Sequence, residues 1–146
     1  MYWIAGILLL ILFLFWPTNK RRCSAHVLGA CNALKRNDWP GVRRQLQLAR
    51  PAAERLKGKM RSHFLAHIER MTAQADYRDG KFADCEEHLK QAAAHIEEVT
   101  ACDMHMQLAE IDRLYGDLCI DRGQGQEATE HFRKAVASGQ SMGTRR

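Results

Sequence analysis

Proline is nearly missing from this chain once the first segment ends: only Pro40 and Pro51 follow Pro17, and runs of β-branched residues are few. That scarcity leaves little to argue for strands or long irregular loops. The chain beyond the first twenty positions is instead rich in Ala, Leu, Gln, Glu, Lys and Arg, all good helix formers, so the expected fold class is all-α. A Cys-x-x-Cys pair is also lacking. The five cysteines, Cys23, Cys31, Cys85, Cys102 and Cys119, are odd in number and widely spaced, which suits free thiols in a reducing compartment better than a disulfide framework. No glycine-rich phosphate loop and no nucleophile elbow occurs, so neither catalysis nor a cofactor is expected.

Charge is missing altogether from Tyr2 to Trp16, a run dominated by Leu, Ile, Phe and Trp. Nothing basic precedes it and no small-residue cleavage site follows, which argues against a signal peptide. Cys23 follows Lys-Arg-Arg, which excludes a lipoprotein signal. Fifteen helical residues span about 22 Å, short of a ~30 Å hydrocarbon core, but local thinning or extension into Pro17-Thr18 closes the gap. Apolar residues cover every face, and Trp3 and Trp16 mark the two interfaces. A transmembrane anchor is therefore expected over 2–18, followed by a basic juxtamembrane linker over 19–23. The collar of Lys20, Arg21 and Arg22 places the body on the cytoplasmic side, with the N-terminus outside.

The net charge of +5 conceals a gradient. Through Arg61 there are twelve cations against two carboxylates, Asp38 and Glu54; from Ser62 onward ten cations face fifteen carboxylates. The basic half suits anionic lipid headgroups near the anchor. Aromatics are not interleaved with it, so nucleic acid is not an expected partner.

Self-similarity appears at a shift of 43 residues. Asn37-Asp38-Trp39-Pro40-Gly41-Val42-Arg43-Arg44-Gln45-Leu46 aligns with the decapeptides starting at Gly80 and Gly123. Asn37, Gly80 and Gly123 tolerate the left-handed conformation that ends a helix. Val42, Cys85 and Ala128 are then small; Leu46, Leu89 and Phe132 are large; Ala49, Ala92 and Ala135 follow, giving one helical stripe. Val27, Ala30, Ala33 and Leu34 form a stripe before the first turn. Phe64, Ile68, Met71 or Thr72, and Ala75 do so before the second, and Leu108, Ile111, Tyr115 and Leu118 before the third. Each unit reads as helix, tight turn, helix, with a kink or break expected at Pro51.

These units resemble tetratricopeptide repeats over about 24–139. The third unit supplies Gly116, Gly123, Ala128, Phe132 and Ala135, the second Ala73, Gly80, Phe82, Cys85, Leu89 and Ala92, and the first Ala30, Asn37, Trp39, Val42, Leu46 and Ala49. Gly125 stands where an aromatic is usual, and the period is 43 rather than 34. Three such units imply a protein-binding groove lined by the first helix of each pair. By the same resemblance its lining is His67, Arg70, Gln74, Tyr77 and Arg78 in the second unit, with Glu110, Arg113, Asp117 and Asp121 in the third. The paired Lys and Asn with which some members clamp a terminal carboxylate are not evident. The layout is similar to bacterial inner-membrane repeat proteins with one N-terminal anchor. The implied function is an adaptor or scaffold that assembles protein partners at the cytoplasmic face. The alternative is a fixed accessory subunit held through its transmembrane helix.

Metal chemistry has two candidates, His63 with His67 and Cys102 with His105. Neither finds a third ligand by sequence, so no metal is expected. The tail over 140–146 is expected to be flexible.

Overall fold

A computed structural model of the chain describes residues 18–99 and 104–140; within them lie six α-helices and no strand. They are α1 (Asn19–Lys35), α2 (Trp39–Glu54), α3 (Gly58–Arg78), α4 (Phe82–Glu97), α5 (His105–Asp121) and α6 (Gly125–Gln140). The anchor expected over 2–18 falls outside the described residues except for Thr18, as do Trp3, Trp16, Cys102 and the tail beyond Gln140. Among the described residues no helix is long and apolar enough to cross a membrane.

The helix boundaries repeat at the period read from the sequence. The second helices begin at 39, 82 and 125 and end at 54, 97 and 140, while the first helices end at 35, 78 and 121. Each first helix closes in the same way. Asn37, Gly80 and Gly123 hold φ of 59°, 72° and 73°, the left-handed cap position. The following amides reach back to Ala33, Asp76 and Cys119 at 2.8–2.9 Å, satisfying carbonyls the helix end would leave open. Asp38 then caps α2 by accepting from the Gly41 amide at 2.9 Å.

Two expectations need correcting. Residues 19–23 are the opening of α1 rather than a linker, because the Thr18 hydroxyl caps the helix by accepting from the Arg21 amide. And α2 continues through Pro51 to Glu54. The proline falls in the last turn, where the missing N–H interrupts little of the remaining helix.

Each helix pairs most closely with its neighbour in the unit, α1 with α2, α3 with α4, and α5 with α6. The units then stack: α2 packs on α3, α4 on α5, and the first helices contact one another, α1 with α3 and α3 with α5. The core divides accordingly. Cys23, Ala30, Val42, Leu46, Ile68 and Met71 belong to one cluster; Ala73, Cys85, Leu89, Ile111, Leu114 and Leu118 belong to the next. Small-against-large packing recurs in register. Gly116 is so close to Phe132 that a Cβ there would lie 2.6 Å from the ring, whereas the same columns of the earlier units hold Ala30 with Leu46 and Ala73 with Leu89.

Candidate functional site

The first helices α1, α3 and α5 lie side by side, and their shared face carries the residues expected to bind a partner. Spacing of three and four along α3 sets His63, His67, Arg70, Gln74, Tyr77 and Arg78 on one stripe. Most of that stripe is committed to the protein itself. Arg70 is buried, and its Nε donates to Gln107 Oε1 of α5 at 2.5 Å. Burial pulls its pKa down, with Arg113 adding to the effect and Glu110 opposing it. Tyr77 donates its hydroxyl to Asp121 across the same joint at 2.8 Å; desolvation and that carboxylate push its pKa up to about 12. Arg78 reaches the opposite way. It donates to Asn37 at 2.8 Å and lies 5.0 Å over the Trp39 ring, which itself donates to Asn37.

On α5, Arg113 is held between Glu110 and Asp117 of its own helix at 3.0–3.3 Å. Burial raises the Asp117 pKa; Arg113 opposes this, and Asp121 and Glu110 add to it. The face therefore has an acidic row on α5, while the two arginines of α3 are turned into the joint or toward the first unit. Three polar atoms are buried without a partner among the described residues, His67 Nδ1 and Gln74 Oε1 on α3 and His95 Nδ1 on α4. His67 packs edge-on to His63, with ring centroids 4.9 Å apart. Its pKa falls to about 4 through desolvation, with lesser contributions from His63 and Arg70, so it is neutral at neutral pH. No group of three metal-ligating residues forms among the described residues.

Two sets of polar residues escaped the sequence reading. Within the units, His26 bonds Gln45 at 2.9 Å, Glu69 bonds His88 at 2.7 Å, and Asp112 bonds His131 at 3.2 Å. These are the same two columns at successive shifts of 43. Between the units, Arg43 bonds Asp79 at 2.5 Å and Glu86 bonds Arg122 at 2.6 Å, again one pair of columns but with the charges exchanged. The signal was present, since polar residues stood in matched columns of the repeat. The second unit adds the most to this scheme. Its buried Glu69 and Asp76 both face His88, Glu69 also takes Arg50 at 2.6 Å, and Asp76 takes Arg43 at 3.1 Å. Burial pushes the Glu69 pKa up, but Arg50 and His88 outweigh it and hold the carboxyl below its usual range.

Two buried thiols are quiet. Desolvation lifts Cys23 to about 11 and Cys85 to about 12, where the thiolate is scarce at neutral pH.

On the first unit, Lys20, Arg21, Arg22, Lys35, Arg36 and Arg44 are exposed and form no ion pair among the described residues. No protein family, curated protein or solved structure significantly matches the chain.

Proposed function

We propose that this chain is a membrane-tethered adaptor built from three tetratricopeptide-like helix pairs, whose first-helix face takes a segment of a partner protein. The repeat-type reading is supported by the matched helix ends, the left-handed caps and the small-to-large contact of Gly116 with Phe132. The longer period is spent on the helices, sixteen residues in each second helix and seventeen to twenty-one in each first. The binding reading rests on two polar atoms of α3 that find no partner within the molecule, His67 Nδ1 and Gln74 Oε1, on the helix packed beside the acidic row of α5. A buried polar atom without a partner costs on the order of 1–3 kcal/mol, which a ligand's hydrogen bond relieves once the side chain turns out to meet it. The partner is a protein segment with a donor for Gln74 and basic side chains toward α5. The unpaired cations of the first unit support anionic headgroups as a second partner beside the anchor at 2–18. No enzymatic step, cofactor or nucleic acid enters this reading. By its layout the protein belongs in a bacterial inner membrane with the helical body in the cytoplasm.

The test is capture in mild detergent with the full chain and with a version starting at Thr18, which keeps the α1 cap. Gln74→Arg should abolish capture by both. Arg70 and Arg78 are poor probes, being tied to Gln107, Asn37 and Trp39. Capture that survives Gln74→Arg but needs residues 1–17 would point to the second reading, a fixed subunit held by its anchor. That reading draws on the same face, since most of its polar side chains are already satisfied within the molecule.

A further inference from the structure

The outer surface of α6 is the third occurrence of a surface against whose edge the molecule twice seats a first helix. Thr129, Phe132, Arg133, Val136, Ala137 and Gln140 line a shallow trough on α6. The six residues 86 positions earlier, Arg43 to Glu54 at the same spacing, line a trough on α2 that Thr72 of α3 borders; Gln47, Pro51 and Glu54 stay exposed there, while Arg43 and Arg50 bond α3 and Leu46 is buried. There α3 seats on α2, with Arg43 on Asp79 and Arg50 on Glu69. At the next joint α5 seats on α4, with Glu86 on Arg122. On α6 no described helix takes this position, and Val136 remains 58 % exposed.

We propose that the outer face of α6 is a docking site for an amphipathic helix of a partner protein, seated as α3 seats on α2 and α5 on α4. This rests on the recurrence of the joint and is independent of the groove on the first helices.

The two internal joints define what fits. Their covering helices present buried Phe64, Leu65, Ile68 and Met71 in α3, and Ile111 and Leu114 in α5. Where α2 offers Arg43 and Arg50, α6 offers Thr129 and Val136. The occupant therefore lacks the acids that stand at Asp79 and Glu69 and is uncharged and aliphatic across its contact stripe. A second copy's α1 does not qualify. In the columns of Phe64, Leu65, Ile68 and Met71 it carries Arg21, Arg22, Ala25 and Leu28, and the trough has no carboxylate for either guanidinium. A second copy's α6 would pair two second helices, whereas the packing at both internal joints is a first helix on a second.

The probe is a fluorescent peptide of the α5 sequence, His105–Asp121, carrying Asp112→Ala to remove its one acid in the Glu69 column. It is titrated against the full chain in lipid nanodiscs. Saturable binding is expected, lost when the peptide also carries Ile111→Glu and Leu114→Glu. Val136→Arg in the protein should weaken binding roughly tenfold or more, because it sets a guanidinium against an aliphatic stripe. Leu48→Arg, at an exposed position on the first unit, should leave it unchanged. Circular dichroism checks that Val136→Arg keeps its helices. The proposal is overturned by binding indifferent to Val136→Arg, or by no saturable binding up to about 0.2 mM. It is equally overturned by self-association of the protein that Val136→Arg abolishes, which would give the face to a second copy.

Discussion

Gly116 and Phe132 show how a single column controls packing. A methyl group at 116 would lie 2.6 Å from Cε1 of the Phe132 ring, closer than any real carbon contact, so either the ring or the helix has to shift. Gly116→Ala should cost about 1–3 kcal/mol in urea unfolding despite its better helix propensity. Adding Phe132→Leu recreates the Ala73 and Leu89 pairing of the second unit and should restore most of the loss. A double-mutant cycle that came out additive would show that the two residues do not share one space. His67 gives a different residue-scale expectation. Its pKa drops from 6.5 to about 4 on folding, so protonation favours the unfolded chain. Stability from this group is full above about pH 6.5 and drains as the pH falls toward 4, by at most about 3 kcal/mol. His67→Gln should flatten that part of the stability profile, leaving the carboxylates to act below it. At this scale the sequence announced the glycines and the small-to-large columns through repetition. It did not announce that Arg70 is buried, because a stripe position predicts which face a side chain leaves from, not whether a neighbouring helix offers it Gln107.

The elements were the most legible level, since helix ends depend on local chemistry. Asn37, Gly80 and Gly123 fixed three boundaries, and the second helices start two residues later, as the pattern required. The start of α1 is set by the Thr18 cap, a single hydroxyl before a run of Lys and Arg whose charge says nothing of where a helix begins. How helices meet was less legible. Ion pairs across a joint are set by stacking, and the exchanged charges of Arg43 with Asp79 and Glu86 with Arg122 emerged only when distances were known. That exchange lets each joint recognise its proper neighbour. The strongest contact of the first joint is Arg50 with Glu69, where the carboxylate is buried and bidentate. Arg50→Met should lower stability by about 2 kcal/mol, since His88 alone then balances Glu69. It should also raise the pH at which acid unfolding begins, because Glu69 loses the larger of the influences that depress its pKa. An unchanged acid-unfolding midpoint would mean that His88 suffices.

At the scale of the whole molecule, stacked pairs behave as a nearly one-dimensional array, in which each unit gains stability from its own packing and from its neighbours. The second unit has a neighbour on both sides, and its two helices bury the largest share of the core, from Phe64 and Ile68 to Leu89 and Ile96. The third has one. In α6 only Ala128 is buried, while the matched column residues Leu89 and Phe132 are respectively buried and half-buried. Local opening should therefore be cheapest at α6 and dearest in α3 and α4. Hydrogen exchange on the detergent-solubilised full chain offers the comparison residue by residue, because the repeat supplies its own control. The amides of Cys85, Leu89 and Ala92 should exchange far more slowly than those of Ala128, Phe132 and Ala135, which occupy the same columns of the same kind of helix. Equal protection at the two sites would mean that the α6 face is already covered in the isolated protein. Addition of the α5-type peptide should slow the second set and leave the first unchanged, since a covering helix acts on the joint it completes.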